Sequence, residues 1–547
     1  MPTRGVRGTA AVGAAAALLA LHVWAAPTAQ AIERPAINPG ALPPDGPPGP
    51  DEEMKQNSLC AAPVVIGDPD VGQPPPGNAM LDVTHAWQYS TGAGVTVALI
   101  DTGVTPSPRF PALFPGGDYV MGLPGGGLTD CESHGTIVAS IIGAAPSNPA
   151  DRPTPRPAGI PGPPPPPPVG ANPAPTSAPP PPPKPSTVTV TAPPPPPPPP
   201  PAEPPPDTPP AAGPGDPGGP QPLVAGPPPG APDGIVGVAP DATLISIRQS
   251  SVAFGPAHPT GQDMQQHRKA GDIMSLARAI RHAADLGAKV INVSVASCIN
   301  ANTPVDQDAL GAAVRYASVD KDAVIVTAAG NKGEQTECGQ NPAFNPLNPD
   351  DPRDWAGVRT IVTPAWYSDY VLTVGAVTPD GQPLPDSING PWVSVAAPGW
   401  RIMGLSNANG AAVNALPDKD PGMGDGFWGT SFSAAYTSGV VALVRAKFPN
   451  LTSRQVIRRI TETAHNPARG VDNQVGFGVV DPVAALTFDV DPGPAKPVEK
   501  LDTDLHVPAP PPGPDHGPRN AALLGGAAVV VLAGVVLAMV GLRRRMS

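Results

Sequence analysis

The chain is 547 residues long and carries 89 prolines, 61 glycines and a formal charge of −12 at pH 7. Proline at that density rules out one packed core along the whole length, because it gives neither helix nor sheet a backbone donor. Without Arg4, Arg7, Arg543, Arg544 and Arg545, 28 of the 33 basic residues remain against 45 acidic ones, a net −17 that repels phosphate backbones and excludes nucleic acid as a partner.

Residues 1–31 read as a secretory signal peptide. Arg4 and Arg7 supply the positive start, residues 10–26 are mostly apolar, and Ala29-Gln30-Ala31 fits a small-x-small cleavage site. From Ile32 to residue 80 the chain is rich in Pro and Gly and has no helical or strand period, so 32–80 reads as an N-terminal extension. An apolar, β-branched run then opens at 95–100, between Gly94 and the turn Asp101-Thr102-Gly103. Similar runs recur at 236–247, 290–295, 324–329, 371–377 and 393–396. Short runs that are apolar on both faces suit buried parallel strands, which helices cover on either side. Helix-like segments at 273–286 and 309–318 lie among them, and the alternation predicts an α/β domain with a mainly parallel sheet between helices.

Two proline-rich stretches interrupt this pattern. Residues 146–232 include unbroken proline at 163–168 and 193–201, cannot bury a core, and are expected to form a long disordered insertion in a surface loop. Residues 491–520 are expected to act as a semi-rigid stalk. Residues 521–542 then carry no charge and are followed by Arg543-Arg544-Arg545. At about 1.5 Å per residue they span roughly 33 Å, enough for the hydrocarbon core of a bilayer. The arginines hold the tail, 543–547, in the cytoplasm, which predicts a single-pass type I protein of the cell membrane with its body on the periplasmic side. In an exported chain Cys60, Cys131, Cys298 and Cys338 imply two disulfides, with three pairings open. None lies in a C-x-x-C pair, so no metal site and no cofactor are expected.

Three strings carry the chemistry. Asp101 ends an apolar run and starts a turn; alone, Asp-Thr-Gly could be a simple turn carboxylate or half of an aspartic-protease pair. No second Asp-Thr-Gly or Asp-Ser-Gly exists to share the proton, and that reading would leave the other strings unexplained. His134 opens Gly135-Thr136-Ile137-Val138-Ala139, an apolar stretch suited to a helix on the sheet. Ser431 lies in Gly429-Thr430-Ser431-Phe432-Ser433-Ala434, ahead of the apolar Gly439-Val440-Val441-Ala442-Leu443-Val444. A helix there would aim its positive end at a developing oxyanion. An acid, a base and a hydroxyl, far apart in sequence, are what an activated serine nucleophile needs. No Gly-x-Ser-x-Gly elbow occurs, and the order Asp, His, Ser is that of subtilisin. The run 324–329 leads into Gly330-Asn331, whose side-chain amide could join the Ser431 backbone N–H in an oxyanion hole.

These strings, with Gly237-Val238-Ala239-Pro240, Ala397-Pro398-Gly399 and Gly476-Phe477-Gly478-Val479-Val480-Asp481, resemble in content and order the subtilase family of serine proteases over about residues 81–486. Within it the signal peptide, Cys-bearing extension, Phe432 and basic-tailed terminal helix are most similar to the mycosins, membrane-anchored proteases of mycobacterial type VII secretion. The resemblance implies a subtilisin-like fold over 81–490, a triad of Asp101, His134 and Ser431, and Asn331 in the oxyanion hole. It further implies a primary pocket lined by Ser294, Val295 and Ala296 and by Ala328, Ala329 and Gly330. The extension would wrap the domain, which favours Cys60–Cys131 beside His134. Cys298 and Cys338, each following a strand that approaches the site, would pair with each other. Implied partners are a protein or peptide substrate and the type VII membrane complex, where the chain could instead serve as a structural component with dispensable catalysis. Many subtilases have Met after the nucleophile and Pro four residues beyond it; here Phe432 and Ala435 stand there, which bears on substrate fit more than on chemistry. Subtilases often hold calcium; no cluster here reads clearly as a calcium site, and structural calcium is left open.

Overall fold

Alternate residues of Thr96–Asp101 point to opposite sides, yet every residue from Val97 onward is buried. A strand satisfies that only between two packed layers. Val97 and Leu99 enter one core, while Ala98 and Ile100 enter the other. The computed structural model describes residues 32–122, 126–155, 219–258, 264–303, 305–333, 338–343, 345, 347, 351, 353–468, 470–502 and 517–545. The signal peptide expected at 1–31 and residues 156–218 of the proline-rich stretch lie outside them.

Seven strands form the main sheet: β1 (Thr96–Asp101), β2 (Leu113–Asp118), β3 (Thr243–Arg248), β4 (Val290–Val293), β5 (Val324–Ala328), β6 (Val371–Val377) and β7 (Val393–Pro398). Their order is β7-β6-β5-β4-β1-β3-β2, and every neighbouring pair is parallel. Helices α1 (His134–Gly143), α4 (Thr430–Lys447) and α5 (Ser453–Glu462) pack on one face, and α2 (Met264–Asp285) with α3 (Asp308–Arg315) on the other. The mainly parallel sheet between helices that the apolar runs predict is therefore present. In such sheets chemistry gathers beyond the carboxyl ends of the strands, where the order reverses. Here that place lies beside β1, whose last residue is Asp101.

Three local readings change. The run at 236–247 is a strand only from Thr243; before that, Gly237, Val238 and Ala239 donate to the last carbonyls of α1 and of Ala144. Those residues are apolar because they cap a buried helix end, a demand the period cannot tell from a strand. Strand β2 escapes sequence reading because it contains Pro115, Gly116 and Gly117, tolerated at a sheet edge where the register shifts between Pro115 and Asp118. The helix read at 309–318 ends as α3 at Arg315 and widens into a π turn over Tyr316–Asp320.

Both flanking segments lie along the body. Ile37 is buried against Gly311 of α3, and its backbone bonds Lys500 O and Asp502 N at 2.8 and 2.7 Å. Met54–Gln56 pairs antiparallel with Phe254–Pro256, and Cys60 is joined to Cys131. Farther on, the Asn414 carboxamide accepts from Ile66 N and donates to Ile66 O and Pro69 O, acting as a surrogate strand for a proline-bearing segment. Of the expected insertion and stalk, residues 219–232 and 491–502 are described and pair with the body, and 503–516 lie outside the described residues. Gln221–Pro222 adds to Met423–Gly426, and Leu223 bridges Ile66. Glu499 meets Arg315 at 2.6 Å and Lys500 meets Glu33 at 3.0 Å. Proline is accommodated because these are edge pairings that need few donors.

The C-terminal helix α6 (Gly517–Arg545) is a separate unit. Its stretch Asn520–Arg545 has mean hydropathy 2.7 and is the one helix among the described residues long and apolar enough to cross a membrane.

Two stability outcomes follow. Cys60 and Cys131 are 71 residues apart, so replacing both by Ser should cost up to about 4 kcal/mol by chain-entropy reasoning, read as a lowered denaturant midpoint. Exchanging 156–218 for a linker of about eight Gly/Ser residues should keep the unfolding free energy or raise it by up to about 2 kcal/mol, at about 0.6 kcal/mol per halving of the loop; a loss would show that the segment supports the core.

Candidate active site

Asp101 has no solvent exposure and sits where β1 turns away from the sheet. The turn needs Gly103 at φ +100°, where a Cβ would stand 2.1 Å from Thr129 O. Asp101 Oδ1 accepts Thr102 N at 2.7 Å and meets His134 Nδ1 at 2.7 Å. His134 is the first residue of α1, and Ser133 before it adopts a left-handed conformation at φ +68° without capping the helix. The cap comes from elsewhere: Thr102 Oγ1 accepts Gly135 N at 2.9 Å. The residue following the acid therefore holds the helix that carries the base. Burial lowers the basicity of His134, but the charge and hydrogen bond of Asp101, then Asp130 and Glu132, outweigh it and leave the imidazole above its usual range.

Ser431 is the second residue of α4 and is 8% exposed. Its hydroxyl donates to Ser294 O at 3.0 Å. Catalytic hydrogen bonds commonly tighten only around a bound substrate, and a rotation about Cα–Cβ redirects this one. The Phe432 ring lies 5.2 Å from the His134 ring, which brings the start of α4 beside the start of α1. Asn331 follows β5, and its Oδ1 accepts both Thr430 N at 2.9 Å and Thr430 Oγ1 at 3.0 Å. Those two donors fix the orientation of the amide and leave Nδ2 as the available donor. Gly429, at φ +145°, passes so close that a Cβ would sit 3.2 Å from Nδ2. Acid, base, hydroxyl and amide thus meet at one end of the sheet, an arrangement suited to acyl transfer through a serine.

The expected pocket residues divide. Ser294 is buried and offers its carbonyl to Ser431, while Asn292 Nδ2 holds Ser294 Oγ at 2.7 Å. Val295 is half-buried and Ala296 exposed. Ala328 and Ala329 place their side chains in the two cores on opposite faces of the sheet, so neither side chain lines a cleft. The resemblance transfers backbone positions, and on a buried strand the side chains belong to the core. Gly330 N donates to Thr430 Oγ1 at 3.2 Å. The cysteines pair as Cys60–Cys131 and Cys298–Cys338, which uses all four. Cys338 also bridges Gly333, so the second disulfide lies across the loop that leaves Asn331. Thr102, Thr430 and Asp130 are the members that sequence reasoning missed. Thr102 and Thr430 adjoin singled-out residues, but what they contact is far away in the chain. Among the described residues no group of three or more His, Cys, Asp or Glu side chains gathers as a metal ion would require.

Residues 218–478 match the subtilase family. The chain is 54% identical over 547 residues to mycosin-2 of Mycobacterium tuberculosis, covering 99% of this chain and 98% of that one. It belongs to the mycosins, within the subtilase serine proteases. Mycosin-5 of the same organism is 51% identical over 99% of this mycosin and 97% of its own length. Among solved structures, MycP1 from Mycobacterium smegmatis shares 40% identity and superposes with a TM-score of 0.66 over 87% of this mycosin and 100% of the other chain. A chain of the periplasmic assembly from the ESX-5 inner membrane complex shares 48% identity, with a TM-score of 0.67 over 88% of this mycosin and 100% of that chain.

With His134 as the base, its raised basicity would set the acidic limb of activity, because only the neutral imidazole accepts a proton. The Asp101–His134 attraction likewise stabilises the fold fully below the ordinary histidine pKa and fades as pH rises through the raised one. Asp101→Asn should move the acid limb of kcat/KM to lower pH while cutting its plateau by about 10⁴, as in the trypsin-type triad. Asn331→Ala should lower kcat by about 10²–10³ with little change in KM, the loss seen for an oxyanion-hole Asn in subtilisin. A pH–rate series on a peptide ester checks both.

Proposed function

We propose that this mycosin is a membrane-anchored serine endopeptidase whose catalytic body faces the periplasmic side of the cell membrane and works with a type VII secretion complex. The observation that carries the catalytic reading is the buried Asp101–His134 hydrogen bond of 2.7 Å beside Ser431 at the start of α4. His134 takes the hydroxyl proton of Ser431, which attacks the peptide carbonyl. Asp101 holds the imidazole tautomer and offsets its charge. Asn331 Nδ2 and the Ser431 N–H receive the oxyanion, and α4 adds the positive end of its dipole. His134 then protonates the leaving amine, and water releases the acyl group.

The division of the chain follows the same reading: signal peptide 1–31, extension 32–80, subtilase domain 81–490 with its proline-rich insertion, linking segment 491–520, membrane helix 521–542 and cytoplasmic tail 543–547. The apolar helix ending in Arg543, Arg544 and Arg545 supports a type I orientation. A second role as a structural part of the secretion complex draws support from the likeness to a chain of the ESX-5 inner membrane complex. The two roles are compatible.

Ser431→Ala should abolish labelling by a fluorophosphonate and lower peptide turnover by about 10⁶, the scale of the same loss in subtilisin. Undiminished labelling of that variant would sink the triad assignment. In the cell, secretion lost on deletion but kept in Ser431→Ala would assign the secretion defect to the body of the protein; equal loss in both would assign it to catalysis.

A further inference from the structure

Asp130 is buried and stands four residues before His134, outside the acid, base and nucleophile. Its Oδ1 accepts Thr102 Oγ1 at 2.9 Å and Glu132 N at 3.0 Å. Its Oδ2 accepts Thr136 N at 2.8 Å and Thr136 Oγ1 at 2.6 Å. Thr136 Oγ1 in turn accepts Thr105 N at 3.1 Å. One carboxylate therefore ties the turn after β1 to the first turn of α1, the two segments that bear Asp101 and His134. It also supplies the cap that Ser133 does not, with Thr136 N bonded to Asp130 and Gly135 N to Thr102.

Thr102 Oγ1 has one hydrogen and two carboxylates in reach, Asp130 at 2.9 Å and Asp101 Oδ1 at 3.3 Å. The shorter contact takes it. A hydroxyl donating to Asp101 would draw charge from the oxygen that faces His134 and weaken the base. Asp101 Oδ2 has no hydrogen-bond partner among the described residues, so Oδ1 is where its interactions are set.

Resting on the triad assigned above, we propose that Asp130 is a positioning residue of the reaction: through Thr102 it keeps the Asp101 carboxylate free to support His134 and fixes the helix that carries the base. The ionisable groups around this site are Asp101 at the end of β1, His134 on α1, and Glu132 beside Asp130, which turns away to Ser251 Oγ and Ala253 N. Burial pushes Asp130 up to about 6, with Asp101 adding to the rise against the bonds from Thr136 and Thr102. Protonation of Asp130 removes an acceptor and releases the Thr102 hydroxyl toward Asp101. Activity on the acidic side then depends on two deprotonations: that of His134 is required and that of Asp130 adds about tenfold, so the acid limb should be steeper than one over about a decade of rate.

The inactivation rate of the full-length protein by a fluorophosphonate, followed from pH 4 to 9, reads this without a known substrate. In that step Ser431 Oγ bonds phosphorus, the P–F bond breaks, fluoride leaves, and the hydroxyl proton passes to His134. Asp130→Asn should lower the limiting inactivation rate about tenfold with little change in probe affinity. Its acid limb should fall to a slope of one and move down by roughly half a unit or more, because a negative charge near His134 is lost. Thr102→Val should reproduce the rate loss, Thr102→Ser should restore it, and the double variant should be no worse than either single one. If Asp130→Asn fails to fold, Thr102→Val decides. A folded variant with the parent's rate, slope and midpoint overturns the proposal, as does a lower thermal midpoint with an unchanged profile. Failure of the parent to react, or reaction of Ser431→Ala, overturns the triad instead.

Discussion

A carboxylate buried without solvent must have its charge met, and at the end of β1 that need organises the surroundings. Asp101 receives a backbone N–H and an imidazole on one oxygen. The imidazole can arrive only if α1 begins there, and α1 begins there because its first free N–H groups are taken by Thr102 and Asp130. The same helix packs against α4, which presents Ser431, so Ser431 inherits its place from how Asp101 is satisfied. Like-charged Asp130 sits near Asp101 at an energetic cost, which the four hydrogen bonds it accepts and the positive end of α1 offset.

The extension and residues 491–502 show a different physics. Neither carries a periodic apolar pattern, and both are poor in donors. They lie ordered along the domain because it supplies what they lack: a strand edge for Met54–Gln56, a carboxamide for residues 66–69, a disulfide at Cys131, and a groove for Ile37 beside α3. The segment at 499–502 meets that same stretch through Lys500 and Asp502, so the two ends of the body chain are bound to each other beside α3.

Much of this architecture was legible before folding was considered. Buried parallel strands announce themselves as short β-branched runs, and 371–377 is recovered residue for residue. The errors fall where a local pattern serves another purpose. Residues 236–242 are apolar because they close the end of α1, and β2 hides behind a proline and two glycines at a sheet edge. Proline content marked 219–232 as disordered and 491–502 as part of a semi-rigid stalk, yet their pairing partners come from Met423–Gly426 and from the extension. Ala328 and Ala329 stood as pocket residues only by the family resemblance, and their side chains go to the two cores.

By itself the sequence determined the kinds of groups available, since an acid after a strand, a histidine before an apolar helix and a serine among small residues are local facts. It also determined that a mainly parallel sheet would carry them, through runs that leave no polar face. Only the tertiary structure decided which atoms share a proton or a charge. Thr430 orients Asn331 across 99 residues, and Thr102 gives its hydroxyl hydrogen to a carboxylate 28 residues away and not to its neighbour Asp101. Those choices depend on differences of a few tenths of an ångström between competing acceptors, and such distances exist only once the chain has closed on itself.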